Sequence, residues 1–341
     1  MKALLYVGPG EMTLVERPDR RPSGDELRVA VRASGICGSD VHGYLGLTGR
    51  RQPGTVMGHE AAGEVLEIGQ DVDGLAVGDR VALRSILACG SCDLCRRGLP
   101  NVCERRRGLG MQFDGAYAER MVVPAALAVR LPKVVSYEAG ALVEPLAVAL
   151  HAVAITPLEA ADRVAIVGAG PIGLLTMLAL HDRGIEWVAI TDRSAHRLAV
   201  ATALGASLAI DVGRDDAGQV VREATGGRGA DVVFEAVGIS ATVAQSLALA
   251  RAGGQVTWIG NSAPLVELPM QDMVTRELTL RGSYAFDGEF EEAIERLAAG
   301  RIDVRPLIEL TAPLDDGPEL FRRLGEGTLD AVKVILIPSP A

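Results

Sequence analysis

The segment RVAIVGAGPIG, residues 163–173, joins a short apolar strand pattern to the start of a helix. Its glycines have the GxGxxG spacing, in which the first permits a tight turn and the second lets the backbone approach a pyrophosphate. The third glycine lets the helix pack closely on the strand. The segment therefore predicts a dinucleotide-binding turn. The contacting residues would be Gly168, Gly170, Pro171, Ile172 and Gly173.

An acidic residue follows this turn at the expected distance. Asp192 lies nineteen residues after Gly173, at the end of the next predicted strand. Its carboxylate would accept hydrogen bonds from the adenosine ribose and repel a 2′-phosphate, which favours NAD over NADP. Arg193 and Arg197 could accommodate a 2′-phosphate or could lie on a solvated helix face. The alternative for the whole pattern is a glycine turn beside a surface aspartate.

Strand and helix patterns alternate from residue 163 onward, which predicts a parallel sheet covered on both faces. The predicted strands are 163–168, 187–191, 208–211, 231–235, 255–260 and 275–281. The predicted helices between them are 171–183, 194–204, 216–224 and 242–250.

Residues 1 to about 145 show a different pattern. Short Val-rich runs such as 27–31, 64–68 and 79–83 alternate apolar and polar residues, as half-buried strands do. Glycine, proline and aspartate separate these runs, so we expect a compact barrel-like domain with long loops. The last stretch returns to a mixed pattern and is expected to pack back on this domain.

Four of the five cysteines occur as Cys89, Cys92, Cys95 and Cys103. Four thiolates complete a tetrahedral Zn²⁺ site with no open position, which is typical of structural zinc. Disulfide pairing is the alternative, but cysteines so close in sequence are poorly placed to bridge each other. The surrounding loop has no apolar period, so metal binding would supply folding free energy that buried surface does not.

Cys37, His59, Glu60 and Glu144 are candidates for a second zinc site. Catalytic zinc uses three ligands of Cys, His or carboxylate type and keeps one position open. Cys37 and His59 with either glutamate would supply that set, and Asp40 would orient His59. Taken singly, each residue has a structural interpretation as a buried thiol, a core histidine, a surface acid or a helix cap.

Composition limits the classes of partner. A formal charge of −10 argues against nucleic acid or an anionic membrane. No apolar run approaches the roughly 18 residues of a membrane span, and the N-terminus lacks a signal-peptide pattern. Because the thiols are predicted to bind metal, we expect a cytoplasmic protein.

Five motifs occur together in this chain: CGSDVH at 37–42, GHEAAG at 58–63, the four-cysteine loop, LVEPL at 142–146 and GAGPIG at 168–173. In this combination the chain resembles the zinc-dependent medium-chain dehydrogenase/reductase family, more narrowly its sorbitol and butanediol dehydrogenase-like polyol branch. The resemblance implies an α/β protein with a GroES-like β-barrel catalytic domain and a Rossmann coenzyme domain, a doubly wound parallel sheet. The catalytic domain would comprise residues 1–145 and 284–341, and the Rossmann domain residues 146–283.

The resemblance also implies roles for single residues. Cys37 and His59 match the catalytic zinc ligands, and Glu60 matches the adjacent carboxylate ligand. Glu144 matches an acid that binds this zinc directly or through water. Two zinc ions per chain are thus expected.

Ser39 and His42 match the family's proton relay, in which a proton leaves the substrate through the serine, the nicotinamide ribose and the histidine. The implied reaction transfers a hydride from a secondary alcohol, such as a diol, polyol or sugar alcohol, to NAD. A homotetramer or homodimer is also implied.

Two differences from known members of the family narrow the range of expected substrates. Sorbitol dehydrogenases tend to have a substrate-contacting arginine where this chain has Ala285, which argues against sorbitol itself. Threonine dehydrogenases usually have a histidine in place of Ile86 and Asp-Pro in place of Glu144-Pro145. Threonine therefore ranks low among the candidate substrates.

Two further alternatives remain at this stage. One is an amino-alcohol or aminocyclitol dehydrogenase of a biosynthetic pathway. The other is a catalytically silent NAD-binding protein, which the retained Cys37, His59 and Glu60 set disfavours.

Overall fold

The structure is a computed structural model in which residues 1–338 are described. Its contacts define one compact unit formed by Met1–Glu144 with the chain from Asp287 onward, and another formed by Pro145–Phe286. Among residues 1–338, no helix combines the length and apolarity needed to cross a bilayer.

The unit Pro145–Phe286 is built on a parallel sheet with helices between its strands. The strands are β10 (Val164–Val167), β11 (Val188–Asp192), β12 (Leu208–Asp211), β13 (Ala230–Glu235), β14 (Ala250–Trp258) and β15 (Thr279–Gly282). The helices are α5 (Pro171–Asp182), α6 (Ala195–Ala203), α7 (Ala217–Ala224), α8 (Ser240–Leu249) and α9 (Met270–Thr275), preceded by α4 (Val143–Ile155).

The strand order in this sheet is β12-β11-β10-β13-β14-β15, with every neighbouring pair parallel. Numbered from β10, this is the 3-2-1-4-5-6 order of a Rossmann fold. The order reverses between β10 and β13, and such folds bind their ligand outside the carboxyl ends of the strands at that point.

The other unit contains most of the antiparallel structure. Its strands are β1 (Lys2–Gly8), β2 (Glu11–Glu16), β3 (Glu26–Gly35), β4 (Glu60–Ile68), β5 (Arg80–Leu83), β6 (Ile86–Leu87), β7 (Arg107–Gly108), β8 (Arg120–Pro124), β9 (Ala128–Arg130), β16 (Ile308–Pro313) and β17 (Lys333–Ile337). Its helices are α1 (Gly38–Tyr44), α2 (Asp93–Arg96), α3 (Tyr137–Ala141), α10 (Glu289–Ala298) and α11 (Gly317–Gly325).

The main sheet of this unit has the order β16-β17-β3-β4-β5-β9, and β8 also pairs with β3. The long central strand β3 pairs antiparallel with β4, so that Gly35 lies opposite Glu60. β17 pairs with the same end of β3, where Ile335 lies opposite Gly35. Residues from the two ends of the chain therefore meet at the start of β4.

Each unit contains buried clusters of apolar side chains. In the Rossmann unit, residues such as Ala165, Val233 and Leu247 form a core between sheet and helices. In the other unit, Leu27, Val65 and Val81 belong to a cluster on the main sheet. The alternating runs seen in the sequence correspond to β3, β4 and β5, whose inward residues are buried.

The structure differs from the predicted elements in several places. The strand predicted over 255–260 begins already at Ala250, directly after α8 ends at Leu249. The strand predicted over 275–281 begins only at Thr279, because Thr275 ends α9 and Glu277 has a positive φ of 50°. The segment 38–44, for which no helix was predicted, forms α1. Its glycines lower helix propensity, but the side chain of Cys37 caps its start.

Candidate active site

The helix α1 carries three of the predicted site residues. The sulfur of Cys37 caps the helix and accepts hydrogen bonds from the Ser39 amide at 3.5 Å and the Ser39 hydroxyl at 3.3 Å. Ser39 and His42 are three residues apart and therefore lie on neighbouring positions of one helix face. Ser39 is exposed and His42 is half-buried, whereas Asp40 is fully buried.

The start of β4 brings two further residues to Cys37. His59 and Glu60 are buried, and one ligand atom from each of Cys37, His59 and Glu60 lies within 4.8 Å of the others. A soft thiolate, an imidazole and a carboxylate are ligand types that zinc accepts together. The structure thus brings Cys37 together with His59 and Glu60 from a different segment, as predicted for one site.

Glu60 is held by a buried lysine. The ammonium of Lys333, on β17, donates to the two carboxylate oxygens of Glu60 at 2.9 and 2.7 Å and to the carbonyl of Ile36 at 3.2 Å. Both side chains are only 1% exposed. Burial alone would lower the pKa of Lys333, but the nearby charges, led by Glu60, outweigh it and raise that pKa.

The carboxylate of Asp40 lies against His59, with 3.2 Å between Oδ2 and Nδ1. Burial alone would raise the pKa of Asp40, yet His59 and Arg51 hold it below its ordinary value. Burial alone would lower the pKa of His59, but Asp40 and Cys37 raise it well above its usual range. Surroundings that favour positive charge on an imidazole also favour a cation bound beside it.

Glu144 lies near this cluster but outside its closest set. Its Oε1 accepts a hydrogen bond of 2.6 Å from the hydroxyl of Ser85. Burial, reinforced by the charge of Glu60, raises the pKa of Glu144, while His59 opposes the rise. A bound cation would favour its carboxylate form, so this position suits either a direct ligand or an acid that contacts a zinc-bound water.

The charges of the cluster fit a divalent ion. Glu60 and the neighbouring Asp40 are each paired with a buried cation, Lys333 and Arg51 respectively. Cys37 as a thiolate and Glu144 as a carboxylate leave two negative charges beside a neutral His59. Since zinc carries two positive charges, the donor set and its counter-charges fit this metal.

The four-cysteine loop, residues 89–103 and called the four-cysteine lobe below, contains the other cluster that the sequence predicted. The sulfurs of Cys89, Cys92, Cys95 and Cys103 lie within 4.8 Å of one another, and none is in a disulfide. Hydrogen bonding to backbone near Ser91 lowers the pKa of Cys89 to about 5, and burial together with neighbouring thiols raises that of Cys95 to about 12. Four sulfurs this close could all be thiolates only with a bound cation, and the tetrahedral chemistry of four thiolates fits structural zinc.

The glycine turn between β10 and α5 has the predicted geometry for a dinucleotide. A Cβ at Gly173 would lie 1.8 Å from the carbonyl oxygen of Gly168, so the helix can approach the strand only without a side chain. Gly168 itself has a φ of +100°. A Cβ at Gly170 would have Nη1 of Arg197 as its nearest neighbour, at 3.8 Å, so no close contact blocks the approach of a ligand to the backbone at this point. Pro171 begins α5, whose N-terminus favours negative charge, and Ile172 follows it.

Asp192 connects this turn to the next one. Its Oδ2 accepts from the amide of Ala169 at 2.8 Å, and its Oδ1 accepts from the amides of Arg193 and Ser194 at 2.8 and 2.9 Å. A carboxylate has about four acceptor positions, so capacity remains for a ribose hydroxyl. The side chain of Arg193 is exposed, and that of Arg197 is half-buried.

Sequence reasoning missed several residues that contact the predicted ligands or the carboxylate of Asp40 behind them. Arg51, Ser85, Tyr117 and Lys333 were not identified as site residues. Lys333 did carry a signal, since it is a lone charge within the apolar strand pattern VKVILI. The other three lie in segments whose local pattern says nothing of a distant partner.

Comparisons with known proteins agree with this geometry. Residues 23–133 match the alcohol dehydrogenase GroES-like domain family, and residues 171–299 match the zinc-binding dehydrogenase family. A sorbitol dehydrogenase of Arabidopsis thaliana is 38% identical over 88% of this chain and 85% of its own length. A D-arabitol-phosphate dehydrogenase of Enterococcus avium is 34% identical over 100% of this chain and 98% of its own.

Among solved structures, one from Sinorhizobium meliloti 1021 that is bound to NADP has a TM-score of 0.92 at 33% identity, covering 99% of both chains. The predicted α/β fold, with a GroES-like domain and a Rossmann sheet, is therefore confirmed. The chain belongs to the zinc-dependent medium-chain dehydrogenase/reductase family, in its polyol dehydrogenase branch.

Proposed function

We propose that this protein oxidises a secondary hydroxyl of a sugar alcohol, its phosphate or a diol, with NAD as hydride acceptor. The observation that carries the proposal is the convergence of Cys37, His59 and Glu60 ligand atoms within 4.8 Å. A catalytically silent relative would have no use for such a cluster. The relatives named sorbitol dehydrogenase and D-arabitol-phosphate dehydrogenase support the substrate class.

Cys37, His59 and Glu60 would hold the catalytic zinc, with Glu144 as a fourth ligand or as a contact to its water. Zinc would polarise the substrate hydroxyl and lower its pKa, and NAD would accept the hydride. Cys89, Cys92, Cys95 and Cys103 would hold the structural zinc. These two ions would account for two zincs per chain.

Ser39 and His42 would transfer the proton from the site to solvent. The Ser39 hydroxyl lies 3.3 Å from the Cys37 sulfur, so it is adjacent to a proposed metal ligand. His42 lies on the same helix face, and burial lowers its pKa below the usual value of 6.5. Its imidazole is therefore neutral at pH 7 and can accept a proton.

The Rossmann turn would bind NAD through Gly168, Gly170 and Gly173. Asp192 would accept hydrogen bonds from the adenosine ribose and disfavour a 2′-phosphate. Arg193 and Arg197 lie beside it, and one solved relative is bound to NADP, so both coenzymes belong in the test.

We also propose a homodimer or homotetramer in the cytoplasm. β15 is the outer strand of its sheet, which leaves one edge of its backbone available to the same strand of a second copy. Free thiols in both clusters agree with a reducing compartment. A monomeric molar mass by light scattering would contradict the assembly proposal.

The decisive experiment measures initial rates of NAD⁺ and NADP⁺ reduction across a substrate panel. The panel contains C4–C6 polyols, their phosphates, vicinal diols, aminocyclitols and threonine. We expect chelator-sensitive NAD⁺ reduction with polyols, polyol phosphates or diols. Activity confined to aminocyclitols or threonine, or activity that persists after loss of the Cys37 zinc, would contradict the proposal.

A further inference from the structure

A buried arginine contacts the acid that lies behind His59. Arg51 belongs to the segment between α1 and β4, and its side chain is only 5% exposed. Its Nη2 and Nε donate to Oδ1 of Asp40 at 2.6 and 3.2 Å. The family motifs do not include this residue, and its hydrogen bonds go to Asp40.

The two oxygens of Asp40 have separate partners. Oδ1 receives the arginine, whereas Oδ2 lies 2.7 Å from the hydroxyl of Tyr117 and 3.2 Å from Nδ1 of His59. The terminal torsion of an aspartate is broad, so one oxygen held by a single hydrogen bond could rotate. Two nitrogens on Oδ1 fix the carboxylate plane and thereby fix the position of Oδ2 against the imidazole.

Charge gives a second reason for an arginine here. Asp40 is fully buried, and an imidazole that binds zinc through its other nitrogen is formally neutral. Without Arg51, the carboxylate would be a buried charge whose remaining partners, His59 and Tyr117, carry no formal charge. A buried charge of that kind is costly to leave unpaired, and the ion pair with Arg51 compensates it.

The helix α1 leaves space for the side chain of Arg51 at Gly43. A Cβ at Gly43 would lie 2.5 Å from Cγ of Arg51, so the aliphatic part of the arginine crosses the helix where there is no side chain. The same helix carries Ser39, Asp40 and His42. Through its hydrogen bonds to Asp40, Arg51 therefore links the segment after α1 to the helix that carries the proposed relay residues.

We propose that Arg51 is a positioning residue that fixes His59 for zinc binding by holding the carboxylate of Asp40. The inference rests on the proposed function, because it takes His59 as a ligand of the catalytic zinc. Residues that orient a metal-binding histidine typically change metal affinity or activity by about 10- to 100-fold when altered.

The test compares Arg51→Gln and Arg51→Lys with Arg50→Gln, a matched control at the exposed neighbouring arginine. The readouts are zinc affinity of the Cys37 site by chelator competition, the visible spectrum of Co²⁺ bound there, and kcat. We expect Arg51→Gln to weaken zinc binding about 10- to 100-fold and to alter the cobalt spectrum. Arg51→Lys keeps the charge but loses the two-nitrogen contact, so it should recover only part of the affinity.

A double-mutant cycle with Asp40→Asn shows whether the arginine acts through Asp40. If it does, adding Arg51→Lys to Asp40→Asn should weaken zinc binding no further than Asp40→Asn alone. Additive losses would overturn the inference, even if Arg51→Gln fails to fold.

Failure of this inference differs from failure of the proposed function. A wild type with two zincs and full activity, together with Arg51 variants that keep its zinc affinity and cobalt spectrum, overturns the inference alone. A wild type that binds only the four-cysteine zinc overturns the proposed function and the inference together.

Discussion

The Cys37 cluster and the four-cysteine lobe are both suited to zinc, but their surroundings differ. In the lobe the donors are all sulfur, and three of the four cysteines are only half-buried. In the Cys37 cluster the donors are mixed, and two buried ion pairs, Glu60–Lys333 and Asp40–Arg51, surround them. A site of four thiolates is saturated, whereas a mixed set of three leaves a position for substrate.

The two clusters therefore differ in how much the surrounding side chains position their ligands. The lobe needs only its ligands, and its arginines, such as Arg105, are solvent-exposed. The Cys37 cluster needs each ligand oriented and each charge balanced, because chemistry at a metal depends on the groups around its ligands. We therefore expect changes in the two regions to have separable effects on activity and stability.

The largest effect should come from Cys37→Ser. If Cys37 is a zinc ligand as proposed, its loss would remove the metal that would polarise the substrate, so turnover should fall about 1,000-fold or more. Metal analysis should find one zinc per chain instead of two, with the circular dichroism spectrum unchanged. Loss of both zincs with unfolding would show that Cys37 is structural.

Cys92→Ser should have the opposite outcome. The lobe should lose its zinc and, with it, several kcal/mol of folding free energy, seen as a lower Tm in differential scanning calorimetry. Turnover per folded molecule at low temperature should stay within about twofold of wild type. A turnover loss as deep as that of Cys37→Ser would contradict the separation of roles.

Lys333→Met tests the buried ion pairs. It leaves Glu60 as an uncompensated buried charge, which should cost about 3–5 kcal/mol of folding free energy in the metal-free protein. Arg105→Gln, the control in the lobe, removes an exposed arginine and should change stability by less than about 0.5 kcal/mol. Denaturant titration measures both, and equal effects of the two substitutions would refute the contrast.

The smallest effect should come from His42→Gln, since water can replace an outer relay group. We expect kcat to fall about tenfold. Burial lowers the pKa of His42, so the neutral, proton-accepting imidazole persists below pH 6.5 and is lost only as the pH falls through that lowered value. In the wild type the acidic fall in kcat should therefore lie below pH 6.5, and in His42→Gln this step should be absent.

The sequence predicted those parts of the molecule that local patterns encode. The glycine turn at Gly168–Gly173 and the cysteine cluster of the lobe each lie within one short segment, so the sequence alone predicts both. Most Rossmann strands were predicted within a few residues for the same reason. The exceptions are the start of β14, which lies five residues earlier than predicted, and the start of β15, where the end of α9 has no hydrophobic signature.

The balance of charge around the Cys37 cluster could not be predicted. Lys333 reaches Glu60 across 273 residues of sequence, and Arg51 reaches Asp40 only because α1 forms and Gly43 leaves room. Such contacts depend on the pairing of β17 with β3 and on the path of one segment, neither of which has a local signature. The predicted ligand roles of Cys37, His59, Glu60 and Glu144 stay predictions until metal is measured.

The most direct test of two different zinc sites is X-ray absorption at the zinc K-edge of the wild-type protein, combined with its metal content. The account predicts two zincs per chain that share five sulfur ligands, with nitrogen and oxygen completing the remaining positions. One zinc per chain with four sulfur ligands would contradict it, because the Cys37 cluster would then not bind the metal on which the proposed reaction depends.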